Sequence, residues 1–400
     1  MSNYGTTGVT RFDQQSTMGT TSRSVFARPF PNAVARSVVT HPLRSVTGRI
    51  LTIAAAVAAG GAIFAAPAAL AATPAGVGVG HSFSPAIQRA ALAYWTPARR
   101  AAARSVDLIN ASPLHLSATP KQQPALAGPS ASVGGGSPSG EIAPFAPLTR
   151  SRVMAPDGAF PVPTSDYTNF PYSVNGRIFF RNPDGGGSCS GTSVASYHGT
   201  SLEDEVWTAG HCVGNPEGKH PGVWDTSAVF IPAYSGNASD QDPYGEFAAT
   251  YFYTTTAWLN TSDLAEDEAA FIVGTNADGQ TLGQAVGWDG FAWNYPDNEN
   301  FNQFGYPAAS PYNGSSMIQN VASTSVVTGW GSPGQDVIGT PSPMNQGSSG
   351  GAWDIDWTTS ADGYIDGHND FGSNSYPGTV FSPYQDSVAN TIRCLGASNC

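Results

Sequence analysis

Three residues that together can break a carbonyl bond occur far apart but in order: His211, Asp267 and Ser349. His211 ends the apolar run Val206-Trp207-Thr208-Ala209-Gly210 and precedes Cys212. An imidazole held there can act as a general base near neutral pH. Taken alone, His211-Cys212 also reads as a metal-ligand pair or a packed loop. Ser349 sits in Asn345-Gln346-Gly347-Ser348-Ser349-Gly350-Gly351. Small residues around it leave room for a substrate backbone and let backbone N–H groups face a developing oxyanion. A serine hydroxyl needs a base within hydrogen-bond reach. That base needs an acid to fix its tautomer and stabilise its cation. Asp267 opens Glu268-Ala269-Ala270-Phe271-Ile272-Val273, an apolar strand. Asp263, in Asp263-Leu264-Ala265, is the competing acid. It is followed by Glu266-Asp267-Glu268 rather than by a strand, which favours Asp267. His198 falls in a hairpin-like loop and His220 beside Pro221, both surface settings. Gly347-Ser348-Ser349-Gly350-Gly351 also fits the nucleophile turn of α/β-hydrolases. That fold needs alternating helices and an acid and a histidine after the serine, and only 51 residues follow Ser349.

The elements that must position these residues are short strands. Ile178-Phe180, Val206-Thr208, Val229-Ile231, Phe247-Tyr253, Ala270-Val273, Thr324-Thr328, Ala352-Trp353 and Val380-Phe381 are strand candidates separated by Asn-, Asp-, Gly- and Pro-rich connectors. This predicts an all-β barrel or sandwich. Gln385 to Leu395 has helical spacing, with Val388, Ile392 and Leu395 on one face.

The 400-residue chain is divided by charge. Through residue 152 there are 13 Lys/Arg and 3 Asp/Glu, net +10; from 153 on, 4 and 26, net −22. The acidic part is unsuited to nucleic acid or an anionic membrane, and fits the solubility of a secreted protein. Ile50 to Ala72 carries no charge, follows an arginine-bearing leader and ends in Ala69-Leu70-Ala71. It reads as an export signal over residues 1–72 with a long leading region, or as a membrane anchor if retained. Residues 73–152, rich in Ala, Pro, Gly and Ser, carry 7 basic and 2 acidic residues. They read as a basic propeptide whose charge suits docking on the acidic part, or as a disordered spacer. Ser84 to Asn110 has helix-like spacing around Ile87, Ala91 and Trp95, and Pro120 to Pro147 resembles a flexible linker. The cysteines, Cys189, Cys212, Cys394 and Cys400, are even in number, as in a disulfide-bearing exported chain. Three pairings are open, and Cys189–Cys212 with Cys394–Cys400 is the most local. A zinc site is disfavoured for want of histidines near Cys394 and Cys400.

Cys189-Ser190-Gly191-Thr192-Ser193-Val194 through Thr208-Ala209-Gly210-His211-Cys212, with the order His211, Asp267, Ser349, resembles the trypsin/chymotrypsin-like serine endopeptidases. Gly305-Tyr306-Pro307, Gly347-Ser348-Ser349-Gly350-Gly351 and Gly367-His368 resemble the bacterial branch that includes the glutamyl endopeptidases. The resemblance covers roughly residues 170–400. It implies an all-β, chymotrypsin-like fold: two six-stranded antiparallel barrels with a C-terminal helix, preceded by a largely non-globular N-terminal region. The protease domain would span 153–400, with barrels over about 170–280 and 281–400.

The resemblance also implies a Cys189–Cys212 bridge beside the histidine, and an oxyanion hole from the N–H groups of Gly347 and Ser349. It implies no cofactor and no metal, protein or peptide substrates, a monomer, and secretion. The position of the trypsin specificity aspartate holds Pro343, which argues against cleavage after Lys or Arg. His368 stands where glutamyl endopeptidases place a pocket histidine, but Met344 replaces their hydroxyl residue. Asp366 and Asp370 nearby would repel an acidic side chain. Ser348 replaces the aspartate that pairs with a new N-terminus in animal relatives, so activation takes another route. The rival readings are a protease-fold binding protein without turnover, or a surface protein anchored by residues 50–72.

Overall fold

Alternation along the strands builds the first half of the body. In Asn175–Asn182, Ile178 and Phe180 enter one apolar cluster while Phe179 enters another. In Ser227–Pro232, Ala228 and Phe230 join the first and Val229 and Ile231 the second. Successive side chains of a strand point to opposite faces, so these segments are covered on both sides. The computed structural model describes residues 77–106, 109–110, 129–138, 158–196, 202–237, 239–328 and 337–396. The expected export leader, 1–72, and Cys400 lie outside the described residues.

Six antiparallel strands close into a barrel. Asn175–Asn182 pairs with Gly185–Val194 and with Ser227–Pro232. The ladder continues through Glu205–Thr208, Ala269–Val273 and Phe247–Thr255. Pairing of Phe247 with Phe230 and of Ala248 with Val229 shuts it. Phe180, Phe230, Phe247, Phe252 and Phe271 fill the interior. Closure removes the free edges an open sheet would expose. The disulfide Cys189–Cys212 ties the second strand to the histidine turn. Cys394 is also disulfide-bonded, and its expected partner, Cys400, is outside the described residues.

The second half is β-rich as well, with its strands in two sheets. One runs through Gly290–Trp293, Tyr364–His368, Ala352–Ile355, Asn300–Gly305 and Ile318–Ser323. The other holds Val326–Thr328, Val337–Pro341, Thr379–Pro383 and Phe371–Gly372. The helix Ser387–Leu395 starts at Asp386, whose carboxylate accepts from the Val388 N–H. Its Ala389 and Ile392 pack on Trp207 and Phe291. This matches the expected C-terminal helix.

The basic segment is folded where it is described. Gly78–Ser82 adds a strand antiparallel to Phe247–Thr255. Ser84 caps the helix Pro85–Tyr94, and a second short helix, Pro97–Ala101, follows. The helix-like spacing over 84–110 thus ends near Ala101, where the chain becomes extended. Phe83 packs edge-on against Phe252, and Trp95 lies over Phe179. Burying each such ring contributes about 2 to 3 kcal/mol. The Arg100 guanidinium, buried, meets Asp242 at 3.1 Å and Glu246 at 3.2 Å. The buried guanidinium thus meets two carboxylates of the acidic part whose side chains are 30% and 20% exposed. Ala131–Val133 and Gly158–Pro161 extend the larger sheet of the second half. Among the described residues, no helix is long and apolar enough to cross a membrane. The apolar stretch 50–72 is not among them.

Candidate active site

His211 lies in the turn Gly210–Cys212, which follows the strand Glu205–Thr208. Asp267 lies two residues before the strand Ala269–Val273, the neighbour of Glu205–Thr208 in the barrel. The two residues, 56 apart in sequence, therefore meet at one end of a strand pair. Asp267 Oδ1 accepts from the His211 backbone N–H at 2.7 Å, and Oδ2 lies 2.9 Å from His211 Nδ1. Asp263, the competing acid, instead caps the turn Leu264–Glu266 by accepting from the Ala265 N–H. Trp258 stands edge-on to the imidazole, with ring centroids 6.1 Å apart.

Ser349 is carried by a glycine-rich turn between the two halves. Its carbonyl accepts from the Ser190 N–H at 2.8 Å, and the Gly350 N–H donates to the Asn369 carbonyl at 2.6 Å. Ser190 Oγ also donates to the Gly347 carbonyl at 2.9 Å. Gly350 has φ +82°, and a Cβ there would lie 1.9 Å from Thr208 Oγ1. Only glycine permits this approach, which brings the turn that carries Ser349 against the strand leading to His211. Gly347, at φ +91°, donates its N–H to the Val106 carbonyl at 3.1 Å. No hydrogen bond joins Ser349 Oγ to His211 Nε2, and both atoms are buried without a partner.

Two residues near the site carry no sequence signal for their roles. Asn369 holds the turn from below: its side-chain amide donates to the Phe304 carbonyl, and its Oδ1 accepts from the Trp353 indole. Asp370 follows it, with Oδ1 3.3 Å from His211 Nδ1. In the sequence it stands out only as a charge near the expected specificity pocket. Burial works to lower the His211 pKa, but the charge and hydrogen bonds of Asp267 and then of Asp370 outweigh it, pushing it up to about 10. Asp370 is pushed the other way from an ordinary carboxylate: burial, then the Asp267 charge, hold it well above the usual range.

The two residues expected in the specificity pocket have other contacts. His368 is buried, with Nε2 donating to the Asp267 carbonyl at 3.0 Å and its ring edge-on to Trp207. Burial pushes its pKa down to about 4, so it is neutral at pH 7. Met344 packs with Ile338, Trp353 and Val380. The disulfide occupies Cys189 and Cys212, which removes the metal-ligand reading of the His211-Cys212 pair.

No protein-family model and no curated protein sequence matches the chain. Solved structures do. The protease Anisep from Arthrobacter nicotinovorans is 31% identical, with 57% of this chain and 96% of that one covered and a TM-score of 0.49. That identity, over nearly the whole of the relative, decides the matter. This chain belongs to the trypsin/chymotrypsin-like serine protease family. The thermostable serine protease AL20 from an extremophilic microorganism is 28% identical, with 60% of this chain and all of that one covered and a TM-score of 0.49. A Glu endopeptidase structure is 18% identical over 60% of this chain and 99% of that one, with a TM-score of 0.44, and carries no argument about the residue cleaved.

Proposed function

We propose that the protein is a secreted serine endopeptidase made as a precursor, with His211, Asp267 and Ser349 as its triad. The observation that carries the reading is the Asp267 carboxylate engaging both Nδ1 and the backbone N–H of His211. In the neutral imidazole, Nδ1–H is thereby held as a donor, and Nε2 is left as the acceptor that a base requires. In the working enzyme, Nε2 takes the Ser349 hydroxyl proton as Oγ bonds to the substrate carbonyl carbon. The carbonyl oxygen becomes an oxyanion, held by the N–H groups of Gly347 and Ser349. The C–N bond then breaks, and the imidazolium gives its proton to the leaving amine. Water repeats the sequence on the acyl-enzyme and frees Ser349. Peptide or protein substrates are proposed from the family.

Export is supported by the leader 1–72 and by a disulfide buried beside the base, which persists in an oxidising compartment. The basic segment would be the part removed on maturation. For specificity we propose that His368 acts from behind Asp267 and that the enzyme does not select an acidic side chain. A neutral imidazole bonded to a carbonyl offers no cation to a glutamate.

The test uses the full chain treated with a metalloprotease, so that no other serine hydrolase is present. A fluorophosphonate probe is expected to label this sample at Ser349 and to leave Ser349→Ala unlabelled. Absence of labelling in both overturns the reading.

A further inference from the structure

A stretch of this chain is fastened across the catalytic turn. Ser349 and Gly350 are tied to two strands, through Ser190 on one side and Asn369 on the other. The basic segment is attached two residues further along each. Arg104 and Ser105 pair parallel with Gly187 and Ser188, and the Val106 N–H donates to the Ser188 carbonyl at 3.2 Å. Ile109 and Asn110 pair parallel with Phe371 and Gly372. On the near side of Ser349, the Val106 carbonyl accepts from the Gly347 N–H at 3.1 Å. This is the N–H assigned to the oxyanion hole. The fit is close: a Cβ on Gly347 would lie 3.0 Å from Ser105 Oγ. The Val106 side chain is buried in the cluster that holds Cys189 and Cys212, the bridge next to His211. His211 and Ser349 have no exposed surface.

We propose that the catalytic cleft is a binding site for this chain's own residues 104–106 and 109–110, which act as an internal inhibitor with the Val106 carbonyl in the oxyanion hole. The inference rests on the reading of Ser349 as nucleophile and Gly347 as oxyanion donor. Main-chain pairing to strands on both sides supplies affinity, as when an extended peptide is added to a sheet edge. Trp95, Phe83 and Arg100 anchor the preceding residues on the barrel, so the inhibitory stretch is held at high effective concentration. In this arrangement Ser349 Oγ and His211 Nε2 are not hydrogen-bonded to each other, so the bound segment faces a serine that its base does not engage. Release of the anchors uncovers the cleft, and the absence of a trypsinogen-like aspartate at Ser348 is then of no consequence to activation.

The experiment compares the wild-type full chain with Val106→Pro, which deletes the N–H to Ser188, and with Arg100→Ala, which frees an anchor far from Ser349. Both variants are expected to react with a fluorophosphonate at least about tenfold faster than wild type. In the inactive Ser349→Ala background, amide exchange at Gly347 is expected to speed up with Val106→Pro, a readout that needs no catalysis. The peptide spanning residues 103–110 is expected to inhibit the Val106→Pro chain and to stay intact by mass spectrometry. Equal labelling of wild type and both variants overturns the inference and leaves the protease reading standing. Cleavage of the peptide also overturns it. Faster Gly347 exchange without labelling in any chain supports the bound segment and sinks the nucleophile assignment instead.

Discussion

His211 faces two carboxylates. Asp267 grips Nδ1 and the backbone N–H, while Asp370, 3.3 Å from Nδ1, is held toward its protonated form by burial and by Asp267. When the imidazole takes a proton, an ionised Asp370 stabilises the cation, which raises the His211 pKa. The base works in its neutral form, so activity rises with pH through that pKa. Asp370→Asn removes the second charge and is expected to move the acid limb of kcat/KM to lower pH by about 1 unit. An unmoved limb in the pH-rate profile means that Asp370 stays neutral throughout. His368 acts one step further back, through the Asp267 carbonyl. Asn at 368 is expected to lower kcat about tenfold, by loosening the acid, with the profile of cleaved residues unchanged. A changed profile on a peptide library restores His368 to the pocket. The types and order of His211, Asp267 and Ser349 were legible from sequence because nucleophilic chemistry demands them. Asp370 and Asn369 were not, since a lone acid or amide after a strand has many uses, and only packing shows which group it faces.

At the scale of elements, the site depends on the glycine turn that sets Ser349 against the barrel. Gly350 combines φ +82° with a Cβ position 1.9 Å from Thr208 Oγ1. Gly350→Ala must strain the turn or push it from the strand Glu205–Thr208. Thermal unfolding should show a loss of about 3 kcal/mol, and turnover should fall with it, because the nucleophile is displaced from His211. A stable, fully active variant excludes the close approach. The barrel strands were readable because their apolar runs fill both faces, as at Ile178, Phe179 and Phe180. The helix over 387–395 was readable from its one apolar stripe. The extended stretch after Ala101 was not, because Arg104-Ser105-Val106 has no strand pattern of its own and is extended only by pairing to Gly187 and Ser188.

At the scale of the molecule, folding buries carboxylates and pushes their pKa values up. Burial, first among the causes, pushes Asp362 up to about 6, Glu246 to about 7 and Glu266 to about 8. For each, the folded pKa exceeds the unfolded one. The stability each contributes is complete below about pH 4 and is lost as pH rises through the folded value. His211, at about 10, has the same sign over pH 6.5 to 10. His368, pushed down to about 4, opposes them below pH 6.5. The net expectation is a higher Tm at pH 5.5 than at pH 8.5, measured by calorimetry on Ser349→Ala so that self-digestion plays no part. An equal or lower Tm at pH 5.5 contradicts it. By itself the sequence determined the types and order of the candidate site residues, the β class and the charge division between the two parts. Those depend on residue type, order and local period, which the chain carries explicitly. Only the tertiary structure decided that Asp267 and not Asp263 meets His211, and that His368 bonds a backbone carbonyl. It also showed Val106 to lie on Gly347. Each of these is a contact between residues tens to hundreds of positions apart, fixed by barrel closure and strand register rather than by any local pattern.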